Sequence, residues 1–254
     1  MTDASSLHGI GDGIDVAYFL VHAMAGGAGF QQREVHGAAN FAATAKREGV
    51  RRTVYLGGLG DDSVSKHLSS RHETALTLAA DGPPLTYFRA AMVVGAASES
   101  YRTLRYLVKR LPIMIAPSWL RTATQPIAID DVIEYLLRAP HVPESLGREV
   151  QIGGPDILAY GDMLDRMAIA MNVRPRPKVP VPLITPWLSA LWLGLVTPVD
   201  TNVARPLVEG LRTATVVTDP SGAQPFGIAT MSFDQALQRA LEEERRAEAQ
   251  QPPR

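Results

Sequence analysis

The chain contains no cysteine. That excludes a disulfide framework, thiolate zinc sites and a cysteine nucleophile, and it fits a reducing compartment. Charge of one sign is lacking as well, since 25 Lys and Arg stand against 26 Asp and Glu. With both signs dispersed there is no long-range field to attract nucleic acid, and a dedicated polyanion binder is not expected. The N-terminal MTDASSLHGIGDGID lacks the apolar core of a secretory signal, and a cytoplasmic location is the expectation. Long unbroken apolar runs are missing too. Residues 179–199 carry no charge and hold Trp187 and Trp192, but four prolines interrupt them. They are too broken to span a bilayer as one helix, and are expected either to bury an apolar face or to meet a membrane surface or protein partner. No internal repeat is visible.

What is present is 254 residues, 46% of them hydrophobic, with 21 Gly and 19 Pro. Residues 14–21, IDVAYFLV, read as a strand buried on both faces. Residues 30–48 are helical in composition, with Val35, Ala38, Ala42 and Ala45 on one face and Gly49 as the stop. RTVYL at 52–56 is the next strand, ending in Gly57 and Gly58. A helix follows over 66–80, then a third apolar strand, LTYFRAAMVV, over 85–94. Strands separated by helices of this length imply right-handed crossovers, hence a doubly wound parallel α/β sheet with helices on both sides. Further helices are expected at 101–111, 130–137 and 160–171, a strand at 148–152, and a final helix at 233–249 opened by a Ser232/Gln235 capping box.

Five segments in this order resemble the extended and atypical short-chain dehydrogenase/reductase superfamily, especially its NmrA-like and complex I accessory-subunit-like members. IDVAYFLVHAM is similar to the family's fourth strand, and EVHGAANFAATAKREGVRRTVYLGG to the helix and fifth strand that follow. SSRHETALTLAADGPPLTYFRAAMVVG resembles the helix that carries the catalytic pair, with the sixth strand after it. TQPIAIDDVIEYLL and REVQIGGPDILAYGDML resemble the two later signature segments. The resemblance covers about residues 12–210. It implies a Rossmann-like fold, an NAD or NADP cofactor, a small-molecule substrate, and hydride transfer or redox-assisted epimerisation.

The chain lacks the family's opening Gly-x-x-Gly-x-x-Gly, whose glycines let the backbone approach the cofactor pyrophosphate. Gly9-Ile-Gly-Asp-Gly precedes the strand, and Gly57-Gly58-Leu-Gly60 ends the wrong one, so both read as turns. Met1-Thr-Asp-Ala-Ser-Ser-Leu resembles what the family shows just after its third strand. Met1 is therefore expected to fall inside a longer, N-terminally truncated domain lacking the first βαβαβ portion, through an upstream start codon or a shortened relative. Weak or absent dinucleotide affinity follows for the chain as written. The organisation expected is a partial NAD(P)-binding domain at 1–112, a mostly helical substrate-side lobe at 113–232, and a C-terminal helix and tail at 233–254.

By the resemblance, the catalytic tyrosine position falls on His67 and the lysine position on Arg71. Arginine does not deprotonate, so the usual relay is not supported, while His67 is either a proton-exchanging group or an exposed helix-start residue. Asn40 matches the helix asparagine, and Glu34 stands where a second asparagine is usual. His22, Ala23, Gly57, Gly58, Ala91 and Met92 lie at strand ends on the carboxyl edge, where doubly wound folds bind ligands, and with Arg71 they are the candidate cofactor contacts. Packing against neighbouring loops is the alternative for each. Gln125 and Trp187 are candidate substrate contacts, or core. Asp130 and Asp131, adjacent on a helix, face different ways and read as helix-start acids. His8, His36, His72 and His141 show no metal-ligand spacing with an acidic partner. A second hypothesis is a non-catalytic dinucleotide-linked sensor or assembly subunit, and a third an inactive fragment with an exposed sheet edge.

Overall fold

The structure is a computed structural model that describes residues 1–21, 29–61, 66–110, 114–116, 118–180 and 213–250. Two compact units emerge: residues 1–90, 134–152 and 217–228 form the first, and residues 91–133, 153–216 and 229–254 the second.

In the first unit, β1 (Val16–Phe19), β2 (Arg52–Gly58), β3 (Leu85–Ala90) and β8 (Glu149–Ile152) make a sheet in the order β1-β2-β3-β8, parallel throughout. The helices α1 (Phe30–Arg47) and α2 (Lys66–Asp81) cover one face. Phe19, Ala38, Phe41, Ala42, Tyr55, Ala75, Leu78 and Tyr87 form the core between them, and each large apolar side chain buried there contributes about 1.5–3 kcal/mol. On the other face Phe88 packs with Tyr135 and Phe226 at ring-centroid distances of 5.9 and 5.4 Å. The expected doubly wound arrangement, helices on both sides, is what forms.

Gly49 ends α1 as expected, at φ +79. The helix closes at Arg47, and the Glu48 carboxylate turns back to accept the N–H groups of Gly9 and Gly11 at 2.7 and 2.5 Å, which hold its pKa below the ordinary value. The polar N-terminal stretch is thereby tied to the helix. Asn40 does the same, donating to the Met1 and Thr2 carbonyls.

Two strand expectations are corrected. Residues 14–21 are not buried on both faces: β1 spans Val16–Phe19, Tyr18 is 39% and Leu20 49% exposed, and only Phe19 is sealed in the core. The physical reason is position, since β1 pairs only with β2 among the described residues and forms the edge of the sheet. Residues 85–94 are not one strand either. β3 stops at Ala90, and Val93–Val94 becomes β4, pairing with β7 (Ile127–Ala128) in the second unit.

In the second unit, α3 (Glu99–Arg110), α5 (Tyr160–Ala170) and α6 (Phe233–Gln250) share a core containing Tyr101, Leu104, Met163, Met167, Phe233 and Leu237. Tyr101, Leu104, Leu107 and Val108 of α3 and Phe233, Ala236, Leu237, Ala240 and Leu241 of α6, each set at helical spacing, are buried, while Leu111 lies outside the described residues. The helix α4 (Ile129–Arg138) begins in this unit. Short pairings complete the unit: β5 (Met114–Ala116) lies parallel to β10 (Lys178–Pro180), and β6 (Ala123–Thr124) antiparallel to β9 (Leu158–Ala159).

The Ser232/Gln235 capping box forms reciprocally, with Ser232 N–H donating to Gln235 Oε1 at 2.8 Å and Gln235 N–H to Ser232 Oγ at 3.3 Å. Asp156 accepts from Phe233 N–H at 2.7 Å, and Asp131 from Met231 N–H at 2.8 Å. Asp130 pairs with Arg239. The three acids thus hold the start and flank of α6.

Burial raises the Asp131 pKa, and the Met231 hydrogen bond only partly opposes it. An acid whose folded pKa is raised keeps its proton to higher pH when folded, so its contribution to stability falls as pH rises through that window. Asp131→Asn is expected to abolish this dependence while keeping the acceptor. Asp131→Ala strands the Met231 N–H and should cost about 1–3 kcal/mol, read by urea unfolding across the acidic range.

Candidate functional site

The carboxyl edge of the parallel sheet is where the first unit can present chemistry. There β2 ends in Leu56, Gly57 and Gly58, opposite Phe88, Arg89 and Ala90 of β3. One turn inside α2, Arg71 is 7% exposed, and its guanidinium donates to the Leu56 carbonyl at 2.7 Å. The same group lies over the Tyr55 ring, 5.8 Å from its centroid. Tyr55 in turn stacks on Tyr87 at 5.4 Å. The cation is held at the sheet edge by a carbonyl on one side and an aromatic face on the other.

Glu34 enters this region from α1, buried, and accepts a hydrogen bond from Ser70 Oγ at 3.1 Å. Burial pushes the Tyr55 phenol up to about 12; Arg71 opposes the shift and Glu34 adds to it. A phenol raised in this way stays protonated, so Tyr55 is no substitute for an activated catalytic tyrosine. Arg71 has the opposite limitation: it binds anions and hydroxyl oxygens but gives up no proton.

The two candidate glycines have their side-chain space already occupied. A Cβ on Gly57 would lie 2.6 Å from the Tyr87 ring and 2.8 Å from its hydroxyl, and one on Gly58 would lie 2.6 Å from Leu68. Their need for glycine is set by these close approaches within the fold.

Arg89, which the sequence reading did not single out, fixes the loop that follows. It donates to the carbonyls of Gly58 at 3.0 Å and Gly60 at 2.7 Å, and pairs with Glu149 at 3.3 Å. The signal was available, because a charged residue inside an otherwise apolar buried strand needs partners.

Of the sequence candidates, Gly57, Gly58 and Arg71 come together in the first unit. Ala91, Met92 and Gln125 belong to the second. There the Met92 carbonyl accepts from Ile127 N–H at 3.0 Å, and Gln125 Nε2 donates to the Gly154 carbonyl at 2.7 Å. His22, Ala23 and Trp187 lie outside the described residues, and His67 is placed on α2 only by its backbone.

The fold has close counterparts. A nucleoside-diphosphate-sugar epimerase from Staphylococcus aureus superposes with a TM-score of 0.70 at 15% identity, over 93% of this chain and 81% of that one. UDP-glucose 4-epimerase from Thermotoga maritima gives 0.71 at 14% identity, over 97% and 82%. The dTDP-4-dehydrorhamnose reductase from Bacillus anthracis, solved with NADP, gives 0.68 at 11% identity, over 95% and 86%. The chain shares the Rossmann-like fold of these proteins. No family model and no curated protein matches its sequence. Among the described residues, no helix is long and apolar enough to cross a membrane.

Proposed function

We propose that this chain is an NAD(P)-binding, oxidoreductase-like protein in which Arg71 anchors the nicotinamide-ribose side and His67 and Arg71 replace the usual tyrosine and lysine. The observation that carries the reading is the Arg71 guanidinium on the Leu56 carbonyl at the carboxyl end of β2. Neighbours of the same fold were solved with NAD+, NADP or NADPH.

The residues present suit only part of such a cofactor. Arg71 offers a fixed cation for ribose oxygens or a phosphate, but the sequence has no glycine fingerprint to cradle a pyrophosphate. A bound nicotinamide supplies a donor or acceptor of hydride. The contribution of the chain is to hold an oxygen at Arg71, and the proposed group for proton exchange on the same helix is His67, four residues earlier. Gln125 and Trp187 are the proposed substrate contacts.

A second reading, a non-catalytic dinucleotide-linked sensor or assembly subunit, is favoured by one feature. The space beside Gly57 and Gly58 is filled by Tyr87 and Leu68, which leaves no side-chain hydroxyl from either position to polarise a substrate. Its partner surface would be residues 179–199.

Fluorescence titration with NADPH tests the site. Affinity is expected to be weak, on the order of 1 mM. Arg71→Met should weaken it by a further factor of about 5–10, and Arg71→Lys should retain most of it. Equal affinity in all three proteins contradicts the assignment of Arg71. Turnover over a carbonyl-substrate panel favours the first reading, and binding without turnover the second.

A further inference from the structure

A separate basic site lies in the second unit, where α5 gives way to β10. The helix ends with Asn172 in the left-handed region at φ 56, and Val173 N–H closes back on the Ala168 carbonyl at 2.9 Å. Arg174-Pro175-Arg176-Pro177 follows. Each arginine precedes a proline, which disfavours helix at that residue, and each proline fixes its own φ, so the four residues are held extended. Two arginines at i and i+2 of an extended segment have Cα atoms roughly 6–7 Å apart.

These residues line an open surface depression of about 390 Å³. Neither Arg174 nor Arg176 has a hydrogen-bonding or ion-pair partner among the described residues, and Arg176 Nε is shielded from solvent without an acceptor. The next cation, Lys178, is by contrast neutralised by Asp165 at 2.5 Å. Arg174 is exposed and Arg176 half-buried, and the shielded Arg176 Nε–H without an acceptor is costly unless an anion completes it.

We propose that Arg174 and Arg176 form a binding site for an organic phosphate. Guanidinium groups match phosphate oxygens in pairs, and the fixed backbone lowers the entropy lost on binding. The volume exceeds what one inorganic anion fills and falls at the lower end of small-molecule pockets, about 300–1,000 Å³. The two proline rings supply apolar walls for the organic part. A soluble phosphate ester and a phospholipid headgroup present the same chemistry.

The test uses the full chain and two probes. Calorimetric titration with glycerol 3-phosphate should show saturable, salt-sensitive binding that weakens about tenfold or more in Arg174→Gln/Arg176→Gln. Arg245→Gln, a substitution elsewhere on the surface, should leave it unchanged, and circular dichroism should show all variants folded. Co-sedimentation with vesicles of phosphatidylglycerol and phosphatidylcholine in equal parts, against phosphatidylcholine alone, separates the sources. Arginine-dependent binding to the anionic vesicles assigns a headgroup, and binding of glycerol 3-phosphate alone assigns a soluble ester. No binding of either probe, or binding undiminished in the double variant, overturns the proposal.

Discussion

Replacing Gly154 by alanine is expected to destabilise the protein by about 3 kcal/mol, several times the effect of the same change at Gly153. The two glycines are adjacent, and neither has a positive φ, so the difference is one of space. A Cβ at Gly154 would sit 2.4 Å from the Pro126 carbonyl oxygen and 3.3 Å from that of Met231. Both obstacles are backbone, and the Gly154 N–H is itself bonded to the Pro126 carbonyl at 2.9 Å, so neither segment can retreat without losing that bond. At Gly153 the obstacle is the Gln125 side chain, at 2.8 Å. It can swing away at the cost of its bond to the Gly154 carbonyl, about 1 kcal/mol. Each kcal/mol lowers Tm by roughly 2–4 °C in a protein of this size, so thermal unfolding resolves the two. Equal losses would show that the Gly-Gly pair is not read by these contacts.

Arg89→Leu is the second large effect expected, about 3–4 kcal/mol. Leucine fills the volume but leaves the Gly58 and Gly60 carbonyls without their donor and Glu149 without its cation. Arg89→Lys should recover only part of the loss, since an ammonium cannot span two carbonyls and a carboxylate as the planar fork does. The damage should also be local. Leu59 N–H, bonded to the Ala90 carbonyl at 2.8 Å within the clamped loop, should exchange with deuterium faster in Arg89→Leu than the amides of β1. Uniform acceleration across the sheet would reduce Arg89 to a general core residue. Because Leu56, which holds Arg71, lies on β2 two residues before the clamped Gly58, ligand affinity should fall with it.

How far the residues announced this architecture varies from element to element. Local chemistry was legible: Gly49 stops α1, Ser232 and Gln235 cap α6, and the helical spacing of Phe233, Ala236, Leu237, Ala240 and Leu241 names a face that is buried. These depend on neighbours within a few residues. The apolar run at 85–94 misled, because two strands of different sheets carry the same composition as one long strand. The edge position of β1 was equally hidden, since burial depends on what lies alongside and not on the strand itself.

The site divides in the same way. Arg71 was found through motif position, and its surroundings came only with the fold: the Leu56 carbonyl is fifteen residues away and Glu34 lies on another helix. Gly57 and Gly58 were legible as small residues at a strand end, but the partners that demand their smallness, Tyr87 and Leu68, were not. Arg89 makes its contacts at sequence separations of 29 to 60 residues, beyond any local pattern.

The central claim is that the chain offers the nicotinamide-ribose half of a dinucleotide site without the pyrophosphate cradle. Competition measured by saturation-transfer NMR between nicotinamide mononucleotide, adenosine monophosphate and NADP tests it most directly. The account predicts that the mononucleotide and NADP bind with similar weak affinity, that adenosine monophosphate does not compete, and that Arg71→Met weakens the signal of both nicotinamide ligands alike. NADP bound about a hundredfold more tightly than nicotinamide mononucleotide, a gain near 2.7 kcal/mol, would contradict it.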